Sequence, residues 1–132
     1  MKYLDVTNEA GARFFGSNTE GPVVMLNLLK FKDQAVFPEG KDPGHSMTGT
    51  EAYQLYMKHT SPHIKKAGAE IVFMGLADHF LIGPEAESWD MVLLVKHQSK
   101  EKFLAFARNE GYLETAYYRN AALEDSRLLP MQ

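Results

Sequence analysis

The chain has 132 residues, 45% hydrophobic and 23% charged, a balance that suits one globular domain with a single core. A net charge of -3 with scattered Lys and Arg leaves no basic footprint for nucleic acid, and no apolar run approaches the roughly 20 residues of a membrane span. The lack of cysteine excludes disulfides, thiol nucleophiles and thiolate-held zinc or iron–sulfur centres. No charged-then-apolar leader opens the chain, so no signal peptide is expected and the cytoplasm is the default compartment.

Residues 1–6 read as an extended lead-in. Thr7 is placed to cap a helix carrying Ala10, Phe14 and Phe15, which Gly16-Ser17-Asn18 ends. Residues 1–20 are thus a helical extension laid on the sheet of a core spanning 21–132. Gly21-Pro22 is a turn signal before a strand over about 22–32. Val23 to Lys30 is apolar except for Asn27 and Lys30, the pattern of a strand covered on both faces. Asn27 interrupts it in the middle. A buried amide without partners is costly, so Asn27 is either a satisfied structural amide or a group pointing into a polar pocket.

Residues 33–49, with Pro38, Gly40, Pro43, Gly44 and Gly49, form a long irregular connection that is either a binding loop or a mobile excursion. A helix over about 50–66 places Tyr53, Tyr56, Thr60, His63, Ile64 and Ala67 on one face. Pro62 is expected to kink it or begin a fresh turn, and Gly68 to cap it. Residues 69–83 are rich in β-branched and aromatic types and read as a strand, bent or broken near Gly75. Glu85 to Ser88 then turns the chain into an antiparallel strand over 89–97. Ser99 caps a helix carrying Phe103, Leu104 and Phe106, and Asn109-Glu110-Gly111 breaks it. A further helical segment carries Leu113, Ala116, Tyr117 and Ala121, and 126–131 closes the chain as a short strand.

Without the added helix the order is strand, helix, strand, strand, helix, strand. That is the split βαβ of an α+β, ferredoxin-like sandwich with an antiparallel sheet. Its two helices cover one face of the sheet. A first strand apolar on both sides needs a cover for the other face, and a second copy in a symmetric homodimer supplies it.

The blocks GPVVMLNLLKFKD, TGTEAYQLY, GAEIVFMG, IGPEAESWDMVLLVKHQS and YRNAALEDSRLLP together resemble domain-of-unknown-function family 1330, of the dimeric α/β-barrel superfamily. The resemblance spans about 3–130. It implies two ferredoxin-like sheets paired face to face as a dimeric α/β barrel, and it implies no particular reaction. Tyr118 stands before Arg119 where that pattern more often has histidine.

His59 and His63 have the i,i+4 spacing of zinc sites, but Pro62 disturbs it and no acidic residue follows His59, so no metal is expected. Tyr53 and Tyr56 serve either as core aromatics or to orient a ligand. His79 suits acid–base work if it faces a cavity. Trp89 is a natural pocket wall, and Asp90 beside it either has a raised pKa or pairs with Arg119 as a structural bridge. Arg119 either pairs with Glu124 or Asp125 or recognises an anionic substrate. Catalytic candidates are therefore Asn27, His79 and Asp90; ligand-binding candidates are Asn27, Tyr53, Tyr56, Trp89 and Arg119.

With no phosphate loop, serine elbow or metal–carboxylate cluster, no cofactor is expected. Three functions fit. One is a cofactor-independent enzyme acting on a small organic molecule, of monooxygenase or isomerase type by analogy of fold. The others are a small-ligand binding or sensor module and a structural dimer that partners another protein.

Overall fold

The computed structural model describes residues 2–132. Side-chain caps set most helix starts by satisfying N–H groups that the first turn leaves open. Thr7 Oγ1 accepts from the Ala10 N–H at the start of α1 (Asn8–Phe15). Thr48 and Glu51 form a reciprocal capping box on α2 (Gly49–Lys66). Ser99 caps α3 (Lys100–Ala107) and Asn109 caps α4 (Glu110–Thr115), while α5 (Tyr117–Ala122) follows without a side-chain cap. Pro62 neither breaks α2 nor starts a new one. It lies near the C-terminal end, where its missing N–H removes one bond from an otherwise continuous ladder. Gly68, at φ +73°, turns the chain out of the helix.

The strands are β1 (Val23–Phe31), β2 (Glu70–Leu76), β3 (Met91–His97) and β4 (Leu123–Met131). They pair antiparallel in the order β2-β3-β1-β4, the ferredoxin-like arrangement. Three boundaries differ from the sequence reading, the first being that β3 begins at Met91 and not at Trp89. β2 stops at Leu76, and residues 77–90 form an irregular excursion held by a His79–Ser88 bridge. β4 begins at Leu123 and not at Ser126, directly after α5. The ladder irregularity in β2 falls between Ile71 and Phe73, not at Gly75, over which the Phe73 ring lies.

Alternation fixes the faces. Val23, Met25 and Leu29 of β1 and Leu93 and Val95 of β3 face the helices and are buried against Ala52, Tyr53, Tyr56 and Ile64 of α2. Val24, Leu26, Leu28, Val92 and Leu94 form the opposite face and are only half-buried. The added helix α1 packs through Phe14 and Phe15 on Phe103 of α3. Its two phenylalanines find an aromatic partner in the helix layer.

The connection between β1 and α2 is tied down at both of its ends. Ala35 N–H donates to the Met47 carbonyl, Val36 N–H to that of Ala121, and Lys32 N–H to that of Ala122. Met47 is buried in the core.

Candidate functional site

The helix-facing stripe of β1 is sealed at Val23 (2% exposed), Met25 (2%) and Leu29 (0%), yet Asn27 between them is only half-buried. Its cross-strand neighbour Leu128 is 39% exposed, so the helix layer does not close over this point. Asn27 Nδ2 donates to the carbonyls of Met25 at 3.4 Å and Leu93 at 3.2 Å. Oδ1 has no protein partner among the described residues.

Ser126 is the next helix-facing residue of β4, opposite Leu29. Its hydroxyl donates to the Tyr3 carbonyl at 2.5 Å and accepts from Arg119 Nη2 at 3.3 Å. Arg119 Nη1 donates to the Leu4 carbonyl at 2.7 Å. No carboxylate neutralises this half-buried guanidinium among the described residues. The pairs expected from sequence are not formed. Glu124 bonds Lys2, and Asp125 meets Arg127 at 2.7 Å. For Asp125 the reason is parity: it stands opposite Lys30 and faces away from the helices, whereas Arg119 descends from them; Glu124 falls at the register shift of the ladder and is engaged by Lys2. Burial works against the Asp125 carboxylate, but donors from Tyr3, Arg127 and Ser126 outweigh it and hold its pKa below the usual range.

Tyr53 and Tyr56 are buried, with rings 5.2 Å apart, and Phe31 lies 5.3 Å from Tyr53. Burial pushes both phenols up, while the Arg119 charge pulls each in the opposite direction, so the guanidinium lies within electrostatic reach of both. The Tyr56 hydroxyl meets that of Tyr112 at 2.8 Å. Tyr112 had no signal in the sequence beyond its position after the Asn109-Glu110-Gly111 break.

The structure thus sets Tyr53 and Tyr56 side by side in the core with the Arg119 charge acting on both, puts Asn27 at a half-buried point of the helix-facing stripe of β1, and leaves three candidates elsewhere. Trp89 is buried under the Arg127 guanidinium, 5.0 Å from its ring centroid, with Tyr3 at 4.8 Å from the same group. Asp90 does not pair with Arg119. Its Oδ2 accepts from the Phe31 N–H at 2.8 Å and closes the sheet end. His79 is exposed, and its Nδ1 contacts Asp78 Oδ1 at 3.0 Å. His59 stacks on Tyr118 while His63 packs by Gly111, and no group of three metal-ligating side chains occurs among the described residues.

His97, at the end of β3, is buried between Phe103 and Phe106 with Nδ1 unpartnered. Desolvation lowers its pKa from 6.5. The unfolded chain then binds more protons at mildly acid pH, so stability present above pH 6.5 is lost as pH falls below it. Melts at pH 7 and pH 5.5 are expected to show this loss in the wild type and a smaller one in His97→Phe. An unchanged slope in the variant would assign the loss to other groups.

No family model matches the sequence, and no curated protein matches it. Among solved structures, the chain is similar to the methylated RPA0582 protein, with 35% identity and a TM-score of 0.89, over 99% of this chain and 94% of that one. It is similar to RPA0582 of Rhodopseudomonas palustris, a protein of unknown function, with 34% identity and a TM-score of 0.88, over 99% and 96% of the chains. A dimeric ferredoxin-like protein of unknown function from Bacteroides fragilis NCTC 9343 aligns at 14% identity and a TM-score of 0.46, over 84% and 95% of the chains.

Proposed function

The chain belongs to the same family as RPA0582 of Rhodopseudomonas palustris, and from that premise we propose that it is a homodimeric binding protein for a small organic anion held at Asn27 and Arg119. The observation that carries this reading is the half-buried Arg119 guanidinium, which no carboxylate neutralises among the described residues and which bonds Ser126, the partner of Leu29, two places along β1 from the half-buried Asn27. A guanidinium has five N–H donors, and protein groups occupy two of its nitrogens through one bond each. A ligand carboxylate takes the remaining donors with charge-assisted bonds, and the Asn27 amide supplies a directional contact. Tyr53 and Tyr56 form the aromatic side of the site. The order of the sequence blocks supports domain-of-unknown-function family 1330 as the finer assignment.

Binding is favoured over catalysis because the acid–base candidates are engaged elsewhere: Asp90 on the β1 backbone, and His79 at an exposed contact with Asp78. A cofactor-independent enzyme of monooxygenase or isomerase type is the second reading, supported by the Tyr56–Tyr112 hydroxyl pair, a route for a proton next to the guanidinium. The half-buried apolar face of the sheet supports the homodimer.

Melts with a panel of small aliphatic and aromatic carboxylates, each paired with its neutral amide, test the binding. A ligand at 100 times its Kd adds about 2.7 kcal/mol, so a fitting carboxylate raises the melting temperature by several degrees. Its amide does not. Equal responses to both members of every pair would count against an anion site.

A further inference from the structure

We propose that residues 70–82, which are β2 and the segment after it, form an arm enclosed by a second copy of this chain. The proposal rests on the homodimer of the reading above and adds which element makes the contact.

β2 is an edge strand whose apolar side chains are exposed on both faces. Pairing places Phe73 opposite Leu94 on the face away from the helices, and Met74 opposite Leu93 on the helix side, yet both are about half exposed. Leu76 is 86% exposed, Leu81 101% and Ile82 93%. With Ile71, Val72 and Phe80, this one stretch of chain presents on the order of 900 Å² of apolar side chain, taking about 180 Å² for each fully exposed large residue. Spread over both faces of the arm, that matches the roughly 800 Å² per partner of a stable interface.

The two sheet edges also differ in protection. β4 carries Arg127 and Pro130, residues that discourage edge pairing, whereas β2 has neither Lys, Arg nor Pro. An unguarded apolar edge persists only if something covers it. A second copy fits, because the face formed by Val24, Leu26, Leu28, Val92 and Leu94 is apolar and half-buried. A two-fold axis lets each arm lie against the other copy's face.

The chain has no cysteine, so Leu81→Cys introduces a sole thiol at a position fully exposed in the single chain. Light scattering is expected to give twice 14.9 kDa at micromolar concentration. The thiol is expected to react with a maleimide at least tenfold more slowly than in the urea-unfolded chain. Ile82→Cys is expected to behave alike, and Leu81→Ser with Ile82→Ser to give a folded chain of 14.9 kDa. Wild type at 14.9 kDa would overturn both the arm and the homodimer. Twice that mass with thiols reacting at the unfolded rate, or a double variant that stays dimeric, would overturn the arm alone.

Discussion

Gly49→Ala is expected to lower the melting temperature by about 10 °C or more, or to prevent folding, because the added carbon has no space and its neighbours cannot yield. A Cβ at Gly49 overlaps the Lys32 carbonyl oxygen and stands 2.7 Å from both the Ala122 carbonyl oxygen and the Lys32 nitrogen. All three are backbone atoms, and all three are engaged. Lys32 N–H donates to the Ala122 carbonyl at 2.8 Å, and Gly49 N–H to the Lys32 carbonyl at 3.0 Å. The end of β1, the start of α2 and the junction of α5 with β4 therefore meet at one point, and only glycine permits the approach. Overpacking with side-chain relief costs about 1–3 kcal/mol, and relief is absent here. Gly11→Ala in α1 is the control: its Cβ meets Val6 Cγ1 at an ordinary 3.5 Å, and alanine favours a helix. Calorimetric melts of the two variants check this, and a Gly49→Ala loss no larger than about 1 kcal/mol would show that the junction relaxes.

Arg119→Met is expected to weaken carboxylate binding at least tenfold and to lower stability by about 2 kcal/mol, the range for hydrogen bonds made by a charged group. The two effects separate by substitution. Arg119 ties the N-terminal segment down through the Leu4 carbonyl and reaches β4 through Ser126. Arg119→Lys retains the charge but lacks the planar fork, so it recovers part of the binding while amides around Leu4 still exchange faster. Titration calorimetry and hydrogen exchange read the two roles. Unchanged carboxylate affinity in Arg119→Met would leave Arg119 as a tether only.

The fold was legible where periodicity carried it. The α2 face through Tyr53, Tyr56, Thr60 and Ile64 is the buried one, and Thr7 and Ser99 cap the helices they were expected to cap. The 69–83 stretch stops as a strand at Leu76, beside the break expected near Gly75, and Phe80, Leu81 and Ile82 beyond it have strand composition but no strand partner, because composition does not report pairing. The fate of Arg119 turned on a boundary. With β4 beginning at Leu123, alternation aims Ser126 at the helices and Asp125 away from them, which removes the expected ion pair. Tyr112 beside Tyr56, and Arg127 over Trp89, are contacts between distant elements that no local pattern encodes.

Asn27→Leu tests the proposed site most directly. Asn27 donates two long bonds, at 3.4 Å and 3.2 Å, to carbonyls of the sheet and leaves Oδ1 without a partner among the described residues. An amide kept for a ligand is not optimised for packing, so leucine at this position costs little. Melts of wild type and Asn27→Leu, each with and without the carboxylate that most stabilises the wild type, are expected to give equal or higher stability for the variant alone and no stabilisation on adding the carboxylate. A variant that melts several degrees lower yet responds to the carboxylate as the wild type does would make Asn27 a structural amide and contradict the site.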